Sequence, residues 1–166
     1  MSGVYERRSI RRYTDEPVSE GEIKKLLIAA MSAPSASNQQ PWQFIVIDDK
    51  SIMEEIMKVH PYAQMLKDAR FAIIVCGDLE RAPLKEFWVQ DCSAATENIL
   101  IAAHELGLGA VWVGIYPQEE RVKAIQQIEN LPEKIIPLCI IPIGRPGEKK
   151  EPANRYDDNK VHRNKW

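Results

Sequence analysis

Two periodicities run through the apolar positions of this chain, and they divide it into helices and strands. Residues 4–8 suggest a short helix that ends before Tyr13. Between 19 and 31, Ile23, Leu26, Leu27 and Ala30 recur at helical spacing, behind a Ser19 N-cap with Glu22 three residues on, a capping box. Residues 33–41 are rich in Pro, Ser, Asn and Gln and read as a loop. QFIVID at 43–48 reads as a strand, and 51–59 as a helix closed by His60-Pro61. FAIIVC at 71–76 is apolar throughout, as expected of a strand covered on both faces. A long helix is predicted over 86–106 and stopped by Gly107. A strand over 110–115, a helix over 119–128 and a strand over 135–143 follow. Pro137 and Pro142 confine that last segment to a strand with its prolines near the ends, or to a sheet edge. Four strands with helices between them make an α+β or α/β layout.

The long helix is apolar over most of its circumference in its second half, where Ala94, Ala95, Ile99, Leu100, Ile101, Ala102, Ala103 and Leu106 fall. One sheet face does not cover such a helix. It is either the buried centre of a monomer or part of a dimer interface, and the small number of elements in the chain favours the interface. The segment from Gly144 to the end is polar, prolyl and charged, yet closes on Trp166. It reads as an arm lying across a partner subunit or, alternatively, as a disordered tail.

The 166 residues fit one domain, taken as 1–166. A composition of 45% hydrophobic and 28% charged residues is globular, and a net charge of -2 offers no bulk attraction to nucleic acid or anionic lipid. No run approaches a membrane span, and residues 1–12 lack the apolar stretch of a secretory signal. Cys76, Cys92 and Cys139 are odd in number and widely spaced. Reduced, buried thiols in a cytoplasmic protein are therefore expected, without a disulfide framework. His60, His104 and His162 are too scattered for a metal site, and no metal is expected.

Two constellations carry candidate chemistry. Arg7, Arg8, Ser9, Arg11 and Arg12 crowd four guanidinium groups and a hydroxyl into six residues. A bound dianion relieves their mutual repulsion, since guanidinium forks bind phosphate bidentately. A solvated basic terminus or a nucleic-acid patch is the alternative, and the absence of other basic clusters weakens the latter. The loop at 33–44 sets Ser35, Ser37, Asn38, Gln39 and Gln40 between Pro34 and Pro41, without a charge. Amides that donate and accept together suit a heteroaromatic edge or a polyhydroxyl chain. Trp42 is expected in the core. Asp91 and Glu97 read as ordinary helix-face acids. The glycines of LGLGAVWVG at 106–114 follow a helix and precede a strand, the reverse of a dinucleotide fingerprint.

ERRSIRRY at 6–13 and APSASNQQPWQF at 33–44 resemble the nitroreductase superfamily of FMN enzymes. DCSAATENILIAAHELGLGAVWVG, IPIGRPGE and the closing RYDDNKVHRNKW agree in order and spacing, so the resemblance covers nearly the whole chain. It implies an α+β fold, a mainly antiparallel sheet flanked by helices, with a C-terminal arm crossing to the partner subunit of a homodimer. By motif, Arg7, Arg8, Ser9 and Arg11 would hold the FMN phosphate and ribityl chain. Pro34, Ser35, Ala36, Asn38 and Gln40 would reach the same flavin from the other subunit. Val113 and Gly114 would offer backbone near the ring, and Arg155 a phosphate contact ahead of Lys160 and Arg163. The implied activity is hydride transfer from NADH or NADPH through FMN to a small electron-poor acceptor, a nitroaromatic or quinone, in a ping-pong cycle. No catalytic side chain is implied, because the cofactor carries the reaction. Two departures stand out. The Asn and Lys that larger members place beside the flavin have no counterpart at 62–66, and the helices that roof the larger pocket are missing. A more open pocket follows, unless Trp88 or Tyr116 closes it. A flavin reductase or other specialised branch, and a binding module for a phosphorylated metabolite, are the alternative readings.

Overall fold

The computed structural model describes residues 2–166. Its elements are α1 (Ser2–Glu6), α2 (Glu20–Met31), β1 (Trp42–Ile47), α3 (Lys50–Val59), β2 (Phe71–Asp78), α4 (Trp88–Glu105), β3 (Gly109–Ala110), β4 (Val113–Gly114), α5 (Glu119–Ile128) and β5 (Ile135–Gly144). The strands form one sheet in the order β1-β2-β5-β3, with β4 also on β5, and every strand pairing is antiparallel. The fold is α+β, a sheet flanked by helices.

β2 shows how the core is built. Phe71, Ile73 and Val75 enter a cluster with Leu26 and Ala30 of α2 and Ala95, Ile99 and Ala103 of α4. Ala72, Ile74 and Cys76, which point the other way, pack with Met53 and Ile56 of α3 and Ile125 of α5. The two-residue repeat of a strand thus feeds two helical layers. All eight β2 residues are buried, as an unbroken apolar run predicts. Burying a Leu- or Ile-sized side chain contributes about 1.5–3 kcal/mol, so the paired clusters dominate the stability.

Helix boundaries follow local chemistry. Ser19 and Glu22 form the expected capping box at α2, although Leu27 is only half-buried. Asp49 caps α3 through the Ser51 N–H at 2.8 Å. α4 ends in a Schellman arrangement: Leu108 N–H donates to Ala103 at 2.7 Å and Gly107 N–H to His104 at 2.9 Å. Gly107 takes the left-handed conformation this requires, with φ +70°.

Three expectations are corrected. α1 lies at Ser2–Glu6 rather than 4–8: Arg7 N–H still closes the helix on Gly3 at 3.1 Å, but beyond it Ile10 is buried and its N–H donates to the Ala110 carbonyl at 3.0 Å, which takes the chain out of the helix. α4 begins at Trp88 after a 3-10 turn, Lys85–Phe87, so it starts two residues later than predicted. The strand predicted over 110–115 is two short pairings, β3 on Ile143 and Gly144 and β4 on Ile140 and Cys139. Between them stands Pro142, which has no N–H for a ladder and gives its carbonyl to the Tyr13 hydroxyl at 3.0 Å. β5 is central with its prolines toward its two ends, the first of the two placements expected for it. Its other proline, Pro137, sits beside the register shift at Val75/Cys76.

Cys76, Cys92 and Cys139 are free and buried, as expected. Burial pushes the Cys76 and Cys139 thiols up to about 12, which leaves them protonated and inert. Trp42 is buried in the core. No helix among the described residues is long and apolar enough to cross a membrane, and no group of three or more His, Cys, Asp or Glu is placed to hold a metal.

Candidate functional site

The segment after α1 is held like an extra strand. Ser9 bridges Ala110 and Tyr13 bridges Pro146. Gly147 N–H donates to Arg12 at 2.7 Å, and the Tyr13 hydroxyl donates to Ile10 at 2.7 Å. Burial pushes the Tyr13 pKa well above the phenol range, so it remains a donor. With Ile10 turned inward, against a Gly109 that has no Cβ to obstruct it, the flanking arginines turn outward.

They turn into a cleft of about 730 Å³ lined by Arg7, Arg8, Ser9 and Arg11 and, from the far end of the chain, Lys150, Asn154 and Arg155. Four acidic or carbonyl partners order its wall. Arg7 Nε lies 3.3 Å from Glu97 of α4. Arg8 donates to the Glu151 carbonyl. Lys150 donates to the Ser9 carbonyl at 2.7 Å and pairs with Glu148 at 3.2 Å. Glu148 also accepts the Arg11 N–H at 2.6 Å, and this bond chiefly holds its pKa below the usual carboxylate value. Arg11 and Arg155 form no ion pair among the described residues, so the cleft keeps two uncommitted guanidinium groups. Lys160 pairs with Asp157 at 3.7 Å, and neither it nor Arg163 lines the cleft.

Arg11 also enters a second pocket, about 470 Å³, with Tyr62, Gln64, Met65, Trp112 and Val113. Gly114 follows, exposed on β4. The two cavities therefore share one residue, Arg11; the first is cationic and the second largely apolar and aromatic. Trp88 and Tyr116, whose rings meet edge to face at 5.0 Å, line neither cavity and do not close them.

The polar loop is built differently. A 3-10 turn, Ala36–Asn38, carries Ser37 at φ +48° and Asn38 at φ +55°, and Gln40 follows at φ +46°. Left-handed backbone costs a residue with a side chain about 1–2 kcal/mol, so the surroundings must hold it. Asp91, buried in the first turn of α4, accepts the Ala36 N–H at 2.8 Å and the Gln39 amide at 2.7 Å. The Gln39 side chain also exchanges hydrogen bonds with the Leu84 backbone, at 3.0 and 3.2 Å. Gln40 N–H donates to Ser35 Oγ at 3.0 Å, and its side-chain amide donates to Asn38 at 2.9 Å. Gln39 is thus the inward anchor, while Pro34, Asn38 and Gln40 stay exposed and Ser35 and Ala36 half-buried.

Of the residues picked out from sequence, Arg7, Arg8, Ser9, Arg11 and Arg155 share one cleft, and Val113 joins Arg11 in the next. The loop residues Pro34, Ser35, Ala36, Asn38 and Gln40 line neither cavity within one chain. Lys150 was not singled out, and the helix-face reading of Asp91 is corrected. Asp91 is no ordinary helix-face acid but a buried anchor; its only trace in the sequence is a lone carboxylate opening an apolar helix.

Residues 4–60 and 53–145 match the model of the Nitroreductase family. A protein of Methanothermobacter thermautotrophicus, provisionally named NADH dehydrogenase/NAD(P)H nitroreductase, is 48% identical over the whole chain and 87% of its own length. A crystal structure from Parabacteroides distasonis, carrying the same provisional name, superposes with a TM-score of 0.95 at 41% identity, covering 99% of this chain and 97% of that one. A provisionally named nitroreductase from Desulfovibrio desulfuricans, solved in complex with FMN, has a TM-score of 0.85 at 30% identity, with 99% and 96% covered.

Proposed function

The chain belongs to the nitroreductase family, and from that premise we propose that it is an FMN-dependent oxidoreductase. In this reading it takes hydride from NADH or NADPH and reduces electron-poor acceptors such as nitroaromatics or quinones in a ping-pong cycle. It works as a cytoplasmic homodimer of single domains. The observation that carries the reading is the cleft in which Arg7, Arg8, Ser9, Arg11 and Arg155 converge from opposite ends of the chain.

The donor set suits FMN. Guanidinium forks and a hydroxyl match a phosphate monoester. The adjoining pocket offers Tyr62, Trp112 and Val113 to a flat heteroaromatic ring, with Arg11 between the two regions. Arg7, Arg8, Ser9, Arg11 and Arg155 would hold the phosphate and ribityl portion, and Val113 and Gly114 would present backbone to the ring. FMN, when bound, supplies the hydride acceptance and electron release that no side chain here provides.

The protein's own part is to bind, orient and polarise. Arg11, without a carboxylate partner, favours added negative charge in the pocket it enters. The pinned loop presents Ser35, Asn38 and Gln40 outward, where one chain gives them nothing to bind. A second protomer supplies that surface in the homodimer, and Val4, Tyr5, Ile28 and Met31 are exposed apolar side chains on the same helical layer.

Purified protein tests the reading directly. A flavin absorption spectrum, a solution mass of twice the chain, and oxidation of NADH or NADPH that depends on an added nitroaromatic or quinone are expected. Folded, monomeric protein that takes up no FMN at saturating concentration would overturn it.

A further inference from the structure

Gly114 is bare for no reason internal to the chain. Its φ is not left-handed, and a Cβ built on it meets nothing within 4 Å. A glycine serves either unusual torsions or close approach of another group to the backbone. The first is not in use, which leaves the second.

The backbone here is also aimed. Ile115 N–H donates to Leu138 at 3.0 Å, toward β5. The Gly114 carbonyl, across the same planar peptide, therefore points away from β5. It meets His60, whose Nε2 lies 2.8 Å away. His60 is 1% exposed, and its Nδ1 accepts the Tyr62 N–H at 3.3 Å. An accepting Nδ1 assigns the proton to Nε2, so the ring donates to Gly114 with both nitrogens engaged. Burial holds the His60 pKa below the ordinary imidazole value, which keeps this tautomer neutral. Neither nitrogen is left for acid–base work.

In an antiparallel ladder the N–H and C=O of one residue face the same side. The Gly114 N–H therefore also faces away from β5, next to the pocket that Val113 and Arg11 line. The pairing of β4 with β5 holds Gly114 on one side, and on the other its carbonyl is held by His60 at 2.8 Å, with Arg121 farther off at 3.5 Å.

We propose that His60 is a positioning residue for the redox site, fixing the Gly114 backbone so that its N–H is presented to the ring edge of the bound flavin. This assignment rests on the FMN reading above. His60→Ala removes the closer donor and leaves the Gly114 carbonyl only the long contact from Arg121 at 3.5 Å, whereas His60→Gln returns an N–H at a comparable reach. The readouts are the FMN dissociation constant of the apoprotein and the two-electron reduction potential of bound FMN. His60→Ala is expected to bind FMN about tenfold more weakly. Its potential is expected to fall by about 30 mV, the equivalent of a tenfold weaker relative hold on the reduced cofactor. His60→Gln should recover most of both. A His60→Ala protein that loads FMN at the wild-type potential overturns the assignment while leaving the flavin reading intact; wild-type protein that binds no FMN overturns both. If His60→Ala does not fold, wild-type NMR decides. A Gly114 amide resonance that moves on FMN addition, with His60 in the Nε2–H tautomer, supports the role, and an unmoved resonance or the other tautomer overturns it.

Discussion

Asp91 accepts the side-chain amide of Gln39 at 2.7 Å, across 52 residues of sequence. With its other oxygen on the Ala36 N–H, it ties the polar loop to the first turn of α4. Asp91→Ala strands two donors that are worth about 1–3 kcal/mol each when buried. A folded protein with a lower melting temperature and about tenfold weaker FMN binding is expected. Asp91→Asn can keep only one of the two bonds, because its NH₂ faces a donor, and should fall between. Thermal melts and flavin titrations measure both effects. An Asp91→Ala protein with wild-type FMN affinity would separate the loop from the cofactor.

Among the described residues Arg11 and Arg155 are cleft cations with no ion pair, and Arg8, which has none either, is engaged by the Glu151 carbonyl. Each is expected to make a charge-assisted contact worth about 1.5–3 kcal/mol, so either alanine variant should weaken FMN binding about 10- to 100-fold. Lys160→Ala and Arg163→Ala lie outside the cleft and should bind as wild type. Quenching of FMN fluorescence during titration distinguishes the four variants.

Gly109 leaves room for Ile10, whose Cγ2 would sit 2.6 Å from a Cβ placed there. Gly109→Ala must displace Ile10 and with it the run that aims Arg8 and Arg11. Overpacking of this kind costs about 1–3 kcal/mol. A lower melting point and loss of flavin on gel filtration are expected together. Loss of stability with full flavin retention would show that the arginines do not depend on Ile10.

Glu129 carries an oxygen without a hydrogen-bond partner, and burial, then Glu55, raises its pKa. A raised carboxyl pKa means that the folded state keeps its proton to higher pH than the unfolded chain. Stability therefore declines as pH rises from the ordinary glutamate value through the raised one, and the penalty persists above it. Glu129→Gln removes the charge, and should melt about 2 °C higher near pH 7–8. The gain should shrink toward pH 4. Equal gains across that range, in calorimetry, would place the cause elsewhere.

What could be read in advance was local. The buried run that became β2, the capping box at Ser19, and the α5 bounds follow from neighbours a few residues apart. The arginine cluster was visible because four guanidinium groups fall within six residues, and the structure brings three of them, Arg7, Arg8 and Arg11, to one cleft. The central place of β5 was not, because a proline is tolerated wherever no partner needs its N–H, and only the assembled sheet shows that a gap faces Pro142 and a register shift flanks Pro137. Asp91 and His60 were missed for a related reason. Each acts on backbone more than fifty residues away, and a single carboxylate or imidazole carries no sign of that.

The cationic cleft joins residues 7–11 to residues 150–155. During synthesis these two walls leave the ribosome at different times, separated by the whole sheet and its helices. A nascent chain halted before residue 150 possesses every strand among the described residues but only one wall of the cationic cleft. Cofactor capture is consequently a late event in the life of the polypeptide, and stalled or C-terminally clipped molecules should accumulate as folded but colourless protein.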